Sequence, residues 1–158
     1  MDKAAVRDAL VAQLRAKADK ARASAEETRK GATHEESRAE NDKDTRGLEA
    51  SYLARGQAMR VEELHEAIGR VRIMELPDYV DRPIGIGALI EALVDDQERT
   101  FFLAPAGGGE KLQIDGATVR VLTPASPVGR ALIGKRAADE LELTLAGRRR
   151  CYELLEVR

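Results

Sequence analysis

No proline occurs in the first 76 residues of this 158-residue chain, and an acidic stretch bounded by glycines interrupts them near their middle. Proline breaks a helix by removing an N–H and crowding the preceding turn, so its absence leaves two long segments free to be helical. Between them, residues 31–47 read Gly-Ala-Thr-His-Glu-Glu-Ser-Arg-Ala-Glu-Asn-Asp-Lys-Asp-Thr-Arg-Gly. Two helices folded back on each other would put Glu35, Glu36, Glu40, Asp42 and Asp44 at the far end of a narrow rod. A helix rises about 1.5 Å per residue, so an arm of about 30 residues reaches roughly 45 Å. Carboxylates on such a rod are placed to enter a deep site on another molecule.

Hydrophobic spacing supports the hairpin. In the second arm Ala50, Ala54, Gln57, Val61, Leu64, Ile68 and Val71 alternate three and four residues apart, which keeps one stripe facing a partner helix. The first arm offers Val6, Leu10, Leu14, Ala18, Ala21 and Ala25. Paired antiparallel, the large residues meet at the base and the alanines toward the tip. Two helices alone bury little apolar surface, so the base needs a larger anchor. Alanine-rich positions and a seam glutamine favour a closed intramolecular hairpin, and hence a monomer, over a dimer.

After Pro77 and Pro83 the composition changes to short β-type runs between glycine and proline. Candidate strands are 85–94, 100–103, 117–123, 141–145 and 151–157, and Arg148-Arg-Arg is assigned to a turn after Ala146-Gly147. In Ser126-Pro-Val-Gly-Arg-Ala-Leu-Ile-Gly-Lys135, Ser126 suits a helix N-cap, Pro127 the first helical position, and Gly134 the end of a helix of barely two turns. The expected architecture is α+β: a hairpin over 1–76, then a small antiparallel sheet with one short helix over 77–158.

The formal charge of −2 gives no global field toward nucleic acid or membrane. Residues 1–30 carry Lys3, Arg7, Arg15, Lys17, Lys20, Arg22, Arg29 and Lys30 against Asp2, Asp8, Asp19, Glu26 and Glu27. That pattern reads as a solvated face laced with i,i+4 pairs, or as a mildly basic shaft suited to an acidic partner. Cys151 is the only cysteine, so no internal disulfide forms, and its alternating surroundings suggest a packed small residue. No run reaches the eighteen apolar residues of a membrane span, and the N-terminus lacks a signal-peptide core. A cytoplasmic protein is expected. His34 and His65 lack a second His or Cys at ligand spacing, so no stable metal site is expected. Gly107-Gly-Gly109 lacks the lysine and serine of a phosphate loop, and Ile84-Gly-Ile-Gly87 is too short for a dinucleotide fingerprint.

The Ser126–Lys135 segment, followed by Ala137-Ala-Asp-Glu and two terminal strands, resembles the signature of the Gre family of bacterial transcription elongation factors. The resemblance implies an FKBP-like C-terminal domain that docks at the rim of the RNA polymerase secondary channel, with Ser126, Pro127, Arg130, Ile133, Gly134 and Lys135 as docking residues. It implies a coiled coil passing through the channel, whose tip carboxylates help hold a second Mg²⁺ beside the nascent RNA. Glu36, Glu40, Asp42 and Asp44 are the tip candidates. The factor then needs no cofactor beyond Mg²⁺ shared with the polymerase, and regulates that enzyme without being one.

At the tip the chain departs from the family. Cleavage-stimulating members carry Gly-Asp-x-x-Glu-Asn-Ala-Glu-Tyr, with the Asp and first Glu as the functional pair. Aligning on Asp44 puts Gly47 in the Glu slot, whereas aligning on Glu40-Asn41 puts Ser37 in the Asp slot. The Gly47-Leu-Glu-Ala50 run after several acids is similar to the inhibitory paralogues, so cleavage and inhibition both stay open. Two other classes compete. A peptidyl-prolyl isomerase would need an aromatic-walled pocket, and a plain adaptor coiled coil would use its arms to dimerise.

Overall fold

The computed structural model describes residues 1–36 and 45–158. An N-terminal helical hairpin, α1 (Lys3–Glu36) and α2 (Thr45–Arg72), precedes a six-stranded sheet. The strands are β1 (Leu89–Val94), β2 (Gln97–Leu103), β3 (Lys111–Ile114), β4 (Ala117–Leu122), β5 (Glu140–Leu145) and β6 (Arg148–Val157), and a short helix α3 (Pro127–Leu132) follows β4. The chain forms two compact units, one of Met1–Ala12 with Gly69–Arg158, the other of Gln13–Ile68.

In the helical unit the least exposed side chains follow the heptad stripes. Leu14, Ala18, Leu64 and Ile68 are buried, whereas Ala21, Ala25, Ala50, Ala54, Gln57 and Val61 are half-buried. Gln57 Nε2 donates to Ser24 Oγ at 3.2 Å, tying the two arms together. Both helices run further than the glycines suggested: α1 continues through Gly31, and α2 begins ahead of Gly47. A helical glycine costs only about 1 kcal/mol against alanine, which a long helix absorbs.

The sheet order is β3-β4-β2-β1-β6-β5. Every pair is antiparallel except β2 and β4, which run parallel because the β3–β4 hairpin carries the chain back before β4 joins β2. Three hairpins turn on two residues with positive φ: Asp95-Asp96, Asp115-Gly116 and Ala146-Gly147. This geometry matches the twist of the strands it joins. Arg148–Arg150 therefore lie on β6, not in the turn. The stretch 85–88 precedes β1 instead of opening it.

One sheet face carries Ile90, Ala92, Val94, Phe101, Leu103, Leu122, Tyr152, Leu154 and Val157, closed over by Leu132 of α3 together with Tyr79 and Ile84. Opposite Glu91 and Ala92 the register shifts, so Leu155 is an extra residue. Its bulge returns Val157 to the buried face that Tyr152 and Leu154 occupy, leaving Leu155 exposed. On strict alternation Cys151 must face away from Tyr152. It is exposed, not packed, with Sγ 3.7 Å from Glu142 Oε1.

The start of α1 belongs to the sheet unit. Val6 and Leu10 are wholly buried, and a Leu10 methyl lies where a Cβ on Gly107 would come within 2.9 Å. Lys3 Nζ donates to the Pro77 carbonyl and sits 5.5 Å from the Tyr79 ring centre.

Candidate functional site

The Ser126–Lys135 motif builds a rigid corner. Ser126 caps α3 with extended backbone (φ −70°, ψ 149°), and its Oγ accepts from Gly129 N at 3.1 Å while donating to the Thr123 carbonyl at 2.8 Å. Pro127 takes the first turn, where its missing N–H costs nothing. Gly129 is buried beneath the Thr123 carbonyl, where any Cβ would stand 2.1 Å from that oxygen. Leu132 then enters the core fully buried.

The helix ends in a two-way backbone clasp. Gly134 N donates to the Ile84 carbonyl at 2.9 Å, and Ile84 N donates to the Lys135 carbonyl at 2.7 Å. Gly134 adopts φ +82°, the left-handed exit that favours glycine. The clasp fixes the 79–87 loop beside the end of α3. Arg136 reinforces it by donating from Nη1 to the Asp81 carbonyl.

On this corner the docking candidates divide by exposure. Pro127, Arg130, Ile133 and Gly134 are exposed, Ser126 and Lys135 half-buried. Arg130 is held by an Nη2 hydrogen bond to the Ala125 carbonyl at 3.2 Å. Ile133 is 41% exposed although its neighbour Leu132 is fully buried. Val80 and Ile86, on the clasped loop, are exposed too, and no periodic pattern in the sequence marks them. A fixed corner with exposed apolar side chains between two cations can dock a protein surface.

Of the acidic tip, Glu36 is the last residue of α1, and its side chain falls outside the described residues, as do Glu40, Asp42 and Asp44 altogether. Among the described residues no three His, Cys, Asp or Glu side chains gather where they could hold a metal ion. No helix among them is long and apolar enough to cross a membrane.

A long helical hairpin followed by a small mixed sheet with a Ser-Pro-capped helix defines the class. No family model matches the sequence. Transcription elongation factor GreA of Sinorhizobium medicae (strain WSM419) is 28% identical over 100 residues, which span 62% of this chain and 60% of the relative. GreA of Sulfurovum sp. (strain NBC37-1) is 26% identical over 98 residues, 62% of this chain and 58% of the relative. The matched stretch thus spans about three fifths of the relatives' length. These relatives support a Gre-family transcription elongation factor. The solved structure of GreA factor homolog 1 of Thermus thermophilus covers 95% of both chains at 23% identity, with a TM-score of 0.39, too loose a superposition to carry weight.

Proposed function

We propose that this chain binds bacterial RNA polymerase and regulates transcript elongation. It docks through the corner of Ser126, Pro127, Arg130, Ile133, Gly134 and Lys135 at the rim of the secondary channel. The hairpin tip, with Glu36, Glu40, Asp42 and Asp44, enters the channel and acts on the Mg²⁺-dependent active centre. The observation that carries this reading is the similarity to GreA over about 100 residues, together with the Ser126–Lys135 motif.

The chemistry follows from hard-ion preferences. Mg²⁺ takes few protein carboxylates and keeps waters and substrate phosphates, so a carboxylate brought beside a polymerase-held ion alters what that ion can activate. The polymerase supplies the catalytic centre and the factor supplies ligands, so the chain is a regulator and not itself an enzyme. Among the described aromatics, Tyr79, Phe101, Phe102 and Tyr152 are buried and Tyr52 is exposed on α2. That closed arrangement disfavours a proline-binding isomerase pocket.

Binding of full-length protein to core RNA polymerase, followed by fluorescence anisotropy, tests docking. Ile133→Asp with Lys135→Glu puts two negative charges on the corner without touching the core. About a tenfold weaker association is expected, ~1.4 kcal/mol. Unchanged affinity would move docking elsewhere.

A further inference from the structure

On the β1, β6 and β5 side of the sheet, Arg150 pairs with Asp95 at 2.9 Å, Arg158 with Glu91 at 2.6 Å and Glu156 at 2.7 Å, and Arg149 with Glu142. Arg148 on the same side has no carboxylate within ion-pair distance among the described residues. On the β2, β4 and β3 side, Arg99, Lys111 and Arg120 have no carboxylate within ion-pair distance among the described residues.

Register places these three on one face. Lys111 stands directly opposite Arg120, and Arg120 opposite Phe101. Arg99 is two residues along β2 from Phe101, and therefore on the same face. All three cations are exposed, as are Gln97, Gln113 and Thr118 on that face. Like charges directly opposite each other destabilise a sheet. A pair of this kind is relieved when an anionic partner lies across it.

We propose that Arg99, Lys111 and Arg120 form a docking surface for the acidic face of a helix on another protein. Spacing and chemistry choose this occupant. Cross-strand Cβ atoms lie about 4.5–5.5 Å apart, and the Cβ atoms of acidic residues three or four apart on a helix lie about 5–6 Å apart. The two lattices match. The neighbouring Gln113 amide and Thr118 hydroxyl, joined by a 2.8 Å hydrogen bond, add groups that can donate to carboxylate. Single-stranded nucleic acid is the poorer fit because bases need an exposed aromatic platform, and Phe101, the aromatic within this lattice, is only 5% exposed. The proposal does not depend on the polymerase reading.

The test uses the full-length chain with three labelled probes: an alanine-based helical peptide with Glu at i and i+4, the same peptide with Gln for Glu, and an oligouridylate RNA. The Glu peptide binds and the Gln peptide does not, and binding weakens as salt shortens the Debye length. Lys111→Gln with Arg120→Gln lowers Glu-peptide affinity about tenfold with an unchanged far-UV circular dichroism spectrum. Arg70→Gln with Arg72→Gln, in the last turn of α2, leaves that affinity as it was. If the sheet substitutions instead remove RNA binding, the face takes phosphate and the proposal fails. If they change no probe's affinity, the face is merely solvated, and the proposal fails equally.

Discussion

Gly129 lies so close beneath Thr123 that a Cβ would meet the threonine carbonyl oxygen at 2.1 Å and Ser126 Oγ at 2.8 Å. The cap, the proline and the buried Leu132 all depend on that approach. Gly129→Ala must push α3 off the sheet or break the Ser126 cap, at about 1–3 kcal/mol. For a unit of this size that lowers Tm by roughly 5 °C or more. Gly134→Ala meets open space and pays only for its left-handed φ, about 1–2 kcal/mol. Calorimetry should rank the two in that order, and an equally mild Gly129→Ala would mean that the corner is soft.

The seam of the helical unit makes the next prediction. Ile68 is 8% exposed and Leu64 5%. Aspartate at either site places a charge at a buried apolar position, at several kcal/mol. Helical ellipticity at 222 nm should fall well below that of the parent chain. An unchanged spectrum would mean that these side chains do not face the other arm.

Gln57 offers the reverse change. Its Nε2 reaches Ser24, while Oε1 is buried without a hydrogen-bond partner among the described residues. Gln57→Leu removes the orphan acceptor and extends the apolar stripe, gaining about 1 kcal/mol. A polar seam residue can also fix the pairing of helices, so sedimentation should accompany thermal melts. The parent is expected to be monomeric, and the variant more stable.

Alkaline pH should unmask the tyrosines. Burial raises the phenol pKa of both Tyr79 and Tyr152 above the usual 10.0. The unfolded chain therefore loses these protons first, so stability is complete below pH 10 and is lost as pH climbs through the raised values. Lys3 acts oppositely: burial lowers its pKa below 10.5, so stability rises as pH passes through the lowered value. Urea midpoints should climb slightly and then fall above about pH 10. Tyr79→Phe with Tyr152→Phe should flatten the fall, and Lys3→Met the preceding climb.

The heptad was legible because three-and-four spacing is a property of sequence alone, and Ser126, Pro127 and Gly134 announced α3 through the conformations each favours. β3 escaped notice because Lys111–Ile114 offers only two apolar residues, although the Asp115-Gly116 step after it is a hairpin signal. The parallel β2–β4 pairing was hidden because it joins segments separated by a whole hairpin, and local pattern carries no register between them. Cys151 was misplaced because both faces of β6 bear apolar side chains, and only the bulge at Leu155 decides which face is buried. In the candidate site, the cap and clasp residues could be read from turn chemistry, whereas exposed Val80 and Ile86 acquire meaning only once Ile84 is tied to Gly134 and Lys135.

The most direct measurement adds full-length protein to a stalled, backtracked elongation complex and follows transcript shortening and nucleotide addition together. Saturating protein is expected to change at least one of these rates. Asp42→Asn with Asp44→Asn should reduce that change about tenfold or more, ~1.4 kcal/mol, while binding to polymerase is retained. Amides nearly preserve shape but are poor Mg²⁺ ligands beside carboxylates. If both rates stay at their values without the protein, or if the double variant matches the parent in both, the acidic tip does not act at the catalytic centre.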